Sequence, residues 1–288
     1  MTNLETNPPL KYRDIVVIYH ADCRDGFGAA YAAWKKFGES AAYVPRKTQM
    51  PPPEGLTDKE IYILDYSYSK EVLEELTAKN RSVTVIDHHQ TAEAAVTSFP
   101  NNVFDQSHSG ATLSWMHFHP DMPVPKLLLY VEEHDLWKDT LPHSKEIAAI
   151  IGEHPLTFAW WDKLVGLFED KKSFAALAEK GAVLREYIDK QAANLAQTAH
   201  PVTFEGQTVY ALNYPGPYRS LIGNLLAEKH PPMSIIWSYE DGMFRVSLRS
   251  VGDFDVANIA QKYGGGGHKN ASGFKCKKWE DLPFAINQ

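Results

Sequence analysis

Along the first third of the chain, short apolar runs alternate with amphipathic stretches. Ile15-Val16-Val17-Ile18-Tyr19, Ile61-Tyr62-Ile63-Leu64 and Ser82-Val83-Thr84-Val85-Ile86 are compact, rich in β-branched residues and bounded by polar ones, which predicts buried strands. Ala42-Tyr43-Val44 and Asn102-Val103-Phe104 are shorter candidates. Between them lie helical patterns. Phe27, Ala30, Tyr31 and Trp34 fall at i, i+3, i+4 and i+7 after Asp25-Gly26, with Gly38 as a stop. Ser69 caps a second helix that ends near Asn80, and Ser109-Gly110 opens a third carrying Leu113 and Met116. Strand and helix in alternation predict a parallel sheet with right-handed crossovers.

From about 126 to 199 the period is helical throughout: Lys126 to Glu133, Leu156 to Leu167, and a long stretch from Ser173 to Thr198 with Phe174, Leu177, Leu184, Ile188 and Leu195 on one stripe. Past Pro201 the pattern returns to strands. Thr208-Val209-Tyr210-Ala211-Leu212 comes first; 234–238 and 243–249 then flank Glu240-Asp241-Gly242, a hairpin signal. A short helix over 255–263 leads into Gly264-Gly265-Gly266-Gly267-His268. The expected fold is α/β: a parallel-sheet domain flanked by helices over 1–172, a linker helix over 173–199, and a smaller α/β domain over 200–288.

A length of 288 residues suits two domains, and 44% apolar with 23% charged residues is ordinary for a globular protein. The net charge of −7 offers no broad basic field, so long nucleic acid is not expected as a partner. A short phosphate ester remains a fit if cations supply positive charge locally. The two cysteines, Cys23 and Cys276, suit a reducing compartment. Met1 to Pro9 has neither a basic nor an apolar leader segment, and no apolar run is long enough to span a membrane; a cytoplasmic location is expected, with no membrane partner.

The chemistry gathers where the strands stop. The first predicted strand runs into His20 and Asp22, with Asp25 close behind; the next runs into Asp65, and another into Asp87-His88-His89. As parallel neighbours about 4.8 Å apart, they bring these groups to one carboxyl edge, where open α/β sheets hold their ligands. Carboxylates packed beside imidazoles repel one another unless a cation joins them. With Asp135, they offer oxygen and imidazole donors of the kind that suits divalent ions, Mn²⁺ first, then Mg²⁺, Fe²⁺ or Co²⁺. Six such ligands hold two ions roughly 3.5–4 Å apart if one carboxylate bridges. In the second domain, glycines let backbone approach a ligand and turn N–H groups toward an anion; Arg249 and His268 would add charge-assisted bonds.

Asp87-His88-His89 after a strand, an upstream His20-x-Asp22 with Asp25-Gly26, and Asp65 between them resemble the DHH phosphoesterases. Ser247-Leu248-Arg249-Ser250 and then Gly266-Gly267-His268-Lys269-Asn270-Ala271-Ser272-Gly273 resemble the signature of the DHH-associated substrate-binding domain. Together the two halves span roughly residues 15–275. The resemblance implies that His20 and Asp22 bind a first metal, that Asp65 bridges, and that Asp25, His88 and Asp135 bind a second. His89 would face the phosphate as stabiliser or proton donor, and Asp87 would orient the neighbouring imidazole. Arg249, Gly266, Gly267 and His268 would grip the substrate. Family members commonly space the first-motif aspartates two apart, whereas Asp22 and Asp25 are three apart, so either could stand outside the metal shell; Glu133 and His134 are alternatives to Asp135.

The implied activity is metal-dependent hydrolysis of short oligoribonucleotides or linear dinucleotides such as pGpG to nucleoside monophosphates, with two Mn²⁺ ions, or Mg²⁺ or Co²⁺ in their place, acting through a metal-activated hydroxide. The implied protein is a monomer or homodimer. Rival readings are an exopolyphosphatase, a 3′-phosphoadenosine 5′-phosphate phosphatase, a single-strand DNA exonuclease, and a nucleotide sensor without turnover.

Overall fold

The structure is a computed structural model and describes residues 13–47 and 50–284. The N-terminal stretch read as lacking a leader, Met1 to Pro9, lies outside the described residues. The chain divides into two compact units, 1–184 and 185–288.

The first unit carries five parallel strands: β1 (Ile15–His20), β2 (Ala41–Arg46), β3 (Glu60–Leu64), β4 (Ser82–Asp87) and β5 (Asn102–Phe104). Their order in the sheet is β2-β1-β3-β4-β5. The helices that alternate with them are α1 (Arg24–Phe37), α2 (Lys70–Lys79), α3 (Glu93–Thr97) and α4 (Gly110–Phe118), and α5 (Lys126–Asp135), α6 (Ser144–Glu153) and α7 (Phe158–Glu169) follow. α8 (Lys171–Ala196) occupies the position of the expected linker helix, and the division between units falls inside it, at Leu184 and Arg185.

Helices cover both faces of this sheet, which is why its strands read as near-continuous apolar runs rather than as an alternation. On one face Val17, Leu64 and Ile86 pack with α1, α4, α5 and α7; on the other Val16, Ile18, Ile61, Ile63, Val83 and Val85 pack with α2 and α3. Each such aliphatic side chain contributes roughly 1.5–3 kcal/mol on burial. α1 is buried more completely than its periodicity predicts: every residue from Asp25 to Ala33 is buried. Ala29, Ala30, Ala32 and Ala33 are small enough to let neighbours close in on several sides of the helix.

The second unit is built on a six-stranded mixed sheet of order β10-β11-β9-β8-β7-β6. Its elements are β6 (His200–Phe204), β7 (Gln207–Asn213), α9 (Arg219–Lys229), β8 (Met233–Glu240), β9 (Met243–Ser250), α10 (Val256–Lys262), β10 (Gly266–His268) and β11 (Ala271–Cys276). The hairpin at 240–242 forms between β8 and β9, as the turn residues predict. The apolar pattern does not flag α9, yet Ile222 and Leu226 bury against Ile236 and Leu212 to make a second small core. No helix among the described residues is long and apolar enough to cross a membrane.

Candidate metal centre and anion site

Register places the predicted chemistry at one edge. Tyr19 of β1 pairs with Leu64 of β3, and Leu64 with Ile86 of β4. The next residue on each strand is therefore His20, Asp65 and Asp87, side by side at the carboxyl ends. Asp65 turns inward at φ 60°, with its N–H still bonded to the Ile86 carbonyl.

His88 is the hub of the cluster. Its side chain is fully buried, and its Nε2 lies 3.2 Å from Asp65 Oδ1, 3.5 Å from Asp25 Oδ2 and 3.5 Å from Asp135 Oδ2. The other Asp65 oxygen, Oδ2, lies 3.4 Å from His20 Nδ1. Asp65 thus faces an imidazole with each oxygen. Asp87 does something different. Its Oδ1 accepts from the backbone N–H groups of His88 and His89, and lies 2.7 Å from His89 Nδ1, which fixes the orientation of that ring.

Asp25 is held by two helix starts. It sits in the first turn of α1, and its carboxylate accepts from the N–H groups of Gly110 (2.6 Å) and Ala111 (2.9 Å) at the start of α4. That approach requires glycine at 110: a Cβ there would lie 2.7 Å from Asp65 Cβ and 2.9 Å from Asp25 Oδ2. The neighbouring Ser109 N–H bonds to buried Glu132, which also receives Lys138 and faces His108. The first amides of α4 are therefore occupied by carboxylates, and Ser109 Oγ accepts from Thr112 N–H as a plain cap. Asp135 ends α5, where the helix dipole disfavours a carboxylate.

The electrostatics are those of crowded acids. Burial raises the Asp25 carboxyl well above its usual range, and Asp65 and Asp135 push it further. Burial likewise raises Asp135, against the pull of His88. For Asp65 burial also works upward, but the imidazoles of His20 and His88 win and hold it well below the ordinary value. Burial works to lower His88, yet Asp65, Asp25 and their neighbours overrule it and lift the imidazole to about 10. An imidazolium thus does the work of a cation in the metal-free protein. Neither Asp65 oxygen, nor Asp135 Oδ2, makes a hydrogen bond among the described residues. Buried carboxylate oxygens without donors, beside imidazoles, fit a divalent cation. Among the sets whose ligand atoms lie within 4.8 Å of one another are Asp25, His88 and Asp135, and His20, Cys23 and Asp65.

The structure brings together His20, Asp25, Asp65, Asp87, His88, His89 and Asp135. It does not bring in Asp22, expected beside His20. Asp22 stands at φ 57° in the turn between β1 and α1, its side chain 71% exposed and paired with Lys47 at 3.1 Å. The turn has one residue more than two-apart spacing would need, and Asp22 is the residue turned outward. Glu133 and His134 do not replace Asp135: Glu133 accepts from Thr140 and Leu141, and His134 is exposed with its ring against Trp137. A cavity of about 190 Å³ opens beside the cluster, lined by Cys23, Asp25, Tyr130, His134, Asp135 and Ile151 among others. The sequence pattern does not single out Cys23 as a ligand; the signal available is its spacing of two from Asp25.

In the second unit, Arg249 on β9 and His268 on β10 flank β11 at Ala271, which pairs with both. The Arg249 guanidinium donates to Ser220 Oγ (2.6 Å) on α9 and to the Leu248 carbonyl (2.9 Å), and burial lowers its pKa to about 10. Ser220 lies on the helix that the pattern does not predict. The glycine run is ordered by its own hydrogen bonds and pairing. Gly264 and Gly265 donate their N–H groups to the Gln261 and Ala260 carbonyls at the end of α10, and Gly266–His268 forms the edge strand. Gly267 stands at φ 137°, where a Cβ would strike the Ala271 carbonyl oxygen at 2.6 Å.

This second sheet carries a family match: residues 211–288 fit the DHHA1 domain. The chain is similar to the uncharacterized protein R106 of Acanthamoeba polyphaga mimivirus, 29% identical over 285 residues, covering 90% of this chain and 66% of that one. It is also similar to oligoribonuclease NrnB of Bacillus subtilis (strain 168), 34% identical over 91 residues, covering 31% of this chain and 22% of NrnB. The chain thus spans less than two thirds of the length of either relative. Among solved structures, the DHH domain of a member of the s1p family of ribosomal proteins has the same fold, with TM-score 0.54 and 13% identity over 92% of this chain and 83% of that one. The DHHA1 match over residues 211–288 agrees with the resemblance to the DHH phosphoesterases. Arg249, Gly266, Gly267 and His268 lie in its DHHA1 domain, and the carboxylate–imidazole cluster lies in the parallel-sheet unit that precedes it.

Proposed function

We propose that the chain is a DHH phosphoesterase that hydrolyses short oligoribonucleotides, foremost linear dinucleotides such as pGpG, to nucleoside monophosphates with two divalent cations, Mn²⁺ first and Mg²⁺ or Co²⁺ as substitutes. One observation carries the reading: three buried or half-buried aspartates converge on His88 Nε2, and Asp65 keeps both oxygens without a hydrogen-bond donor. The relationship to a protein named oligoribonuclease supports the substrate class. The net charge of −7 supports a short substrate over a long strand.

When bound, the cations supply positive charge to the scissile phosphate and lower the pKa of a water. His20 and Asp65 would hold one; Asp25, His88 and Asp135 would hold the other. Asp65 faces both halves of the cluster, Oδ2 toward His20 and Oδ1 toward His88. Asp87 keeps His89 Nδ1 engaged, so the ring meets the substrate in one orientation and donates a proton to the leaving oxygen. Burial works to lower the His89 pKa, but Asp87 more than compensates and raises it, which favours the proton-donating form. Arg249 and His268 bind an anionic group of the substrate, with Gly266 and Gly267 allowing close approach.

The test is product chromatography of the full set of ribodinucleotides after incubation with purified protein and Mn²⁺. Nucleoside monophosphates are expected; a set left wholly intact overturns the reading, and binding without product identifies a nucleotide sensor.

A further inference from the structure

Cys23 occupies the N-cap of α1, a position that favours Ser, Thr, Asp or Asn, and its sulfur is at most a weak acceptor for the Gly26 N–H there. Its sulfur lies within 4.8 Å of ligand atoms of both His20 and Asp65. Asp65 is 1% exposed, with neither oxygen hydrogen-bonded, and His20 Nδ1 likewise makes no hydrogen bond. Asp22, the alternative donor in the same turn, points to solvent and pairs with Lys47. The spacing agrees: Cys23 is two residues before Asp25, whereas Asp22 is three.

We infer that Cys23, rather than Asp22, supplies the third protein ligand of the ion held by His20 and Asp65. This rests on the metal-centre reading above and changes its character. Binding expels the thiol proton to solvent, and the thiolate, imidazole and carboxylate together form a softer donor set than carboxylates and imidazoles alone. Thiolate favours ions such as Co²⁺ and Zn²⁺ over Mg²⁺. The two halves of the centre therefore differ: the Asp25–His88–Asp135 half is open to Mg²⁺ or Mn²⁺, and the His20–Cys23–Asp65 half selects a thiophilic ion.

The experiment reads the metal directly, independently of turnover. Full-length protein is titrated with Co²⁺ and its near-ultraviolet absorption followed for thiolate-to-cobalt charge transfer. The band is expected in the wild type and in Asp22→Asn and Cys276→Ser, and is lost in Cys23→Ser, with cobalt affinity falling at least about tenfold. Cys23→Asp should bind cobalt without the band and regain Mg²⁺ affinity relative to Cys23→Ser. A second measurement needs no variant: iodoacetamide labelling at Cys23, located by mass spectrometry, should be slowed by Co²⁺. Cobalt bound without the band, a band that survives Cys23→Ser, or labelling indifferent to cobalt overturns the proposal while leaving the two-cation reading standing. Failure of the wild type to bind cobalt at all overturns both.

Discussion

In the first unit, three aspartate oxygens crowd within 3.5 Å of one imidazole nitrogen; in the second, one half-buried guanidinium meets, among the described residues, a hydroxyl and a carbonyl. The charge left unbalanced is negative in one place and positive in the other. Burial pushes the aspartates Asp25 and Asp135 up and the arginine down, so each site pulls toward neutrality in its own direction. Under the proposed function the first would be completed by cations and the second by an anion. The means of construction differ as well. The cluster is assembled from side chains at strand ends and helix ends, whereas the second site leans on backbone made accessible by glycine.

The comparison breaks most sharply at Asp65. Asp65→Ala removes the group that faces both imidazoles and should lower turnover by at least about a thousandfold in a dinucleotide assay. Circular dichroism should remain that of a folded protein, since the substitution also relieves like-charge crowding. Near-normal activity would remove Asp65 from the centre. Gly110→Ala drives a methyl group into Asp65 and Asp25, so cation affinity should fall about 10–100-fold by isothermal titration, with a stability loss of about 1–3 kcal/mol in urea unfolding.

At the second site, Arg249→Ala should raise KM roughly tenfold or more and alter kcat less, the scale of one charge-assisted hydrogen bond. Arg249→Lys should recover only part of the loss, because the fork geometry is gone. An unchanged KM would take Arg249 off the substrate.

A pH series separates the two sites more gently. His88 is raised from 6.5 to about 10 in the fold, so its stabilising contribution is complete below 6.5 and is lost as pH climbs toward 10. Asp25 and Asp135, raised by burial first, act in the same direction on the acid side, while Asp65, lowered, opposes them there. The melting temperature of the metal-free protein should therefore decline over that alkaline window, and cation affinity should rise as the imidazolium gives up its proton. A flat profile would mean that His88 is not the internal counter-ion. The smallest effect belongs to Ser220→Ala, which loosens the Arg249 guanidinium and should shift KM by no more than a few-fold.

The sequence by itself determined the parallel sheet and the residues at its edge, because apolar runs of β-branched residues that stop at Asp or His leave little else for those residues to do. It also marked Asp87-His88-His89, Arg249 and Gly266-Gly267-His268. Tertiary structure decided which neighbours share a site. Asp22, Cys23 and Asp25 lie in one turn, and only the φ of Asp22 and the docking of α1 against α4 send the first outward and the other two inward. Glu132 and Ser220 carried no local signal, and Gly110 read only as a helix start; their importance arises from backbone amides and hydroxyls brought close by helices distant in sequence. Periodicity reports which side of an element is buried, but which charges meet there is set by how the elements pack.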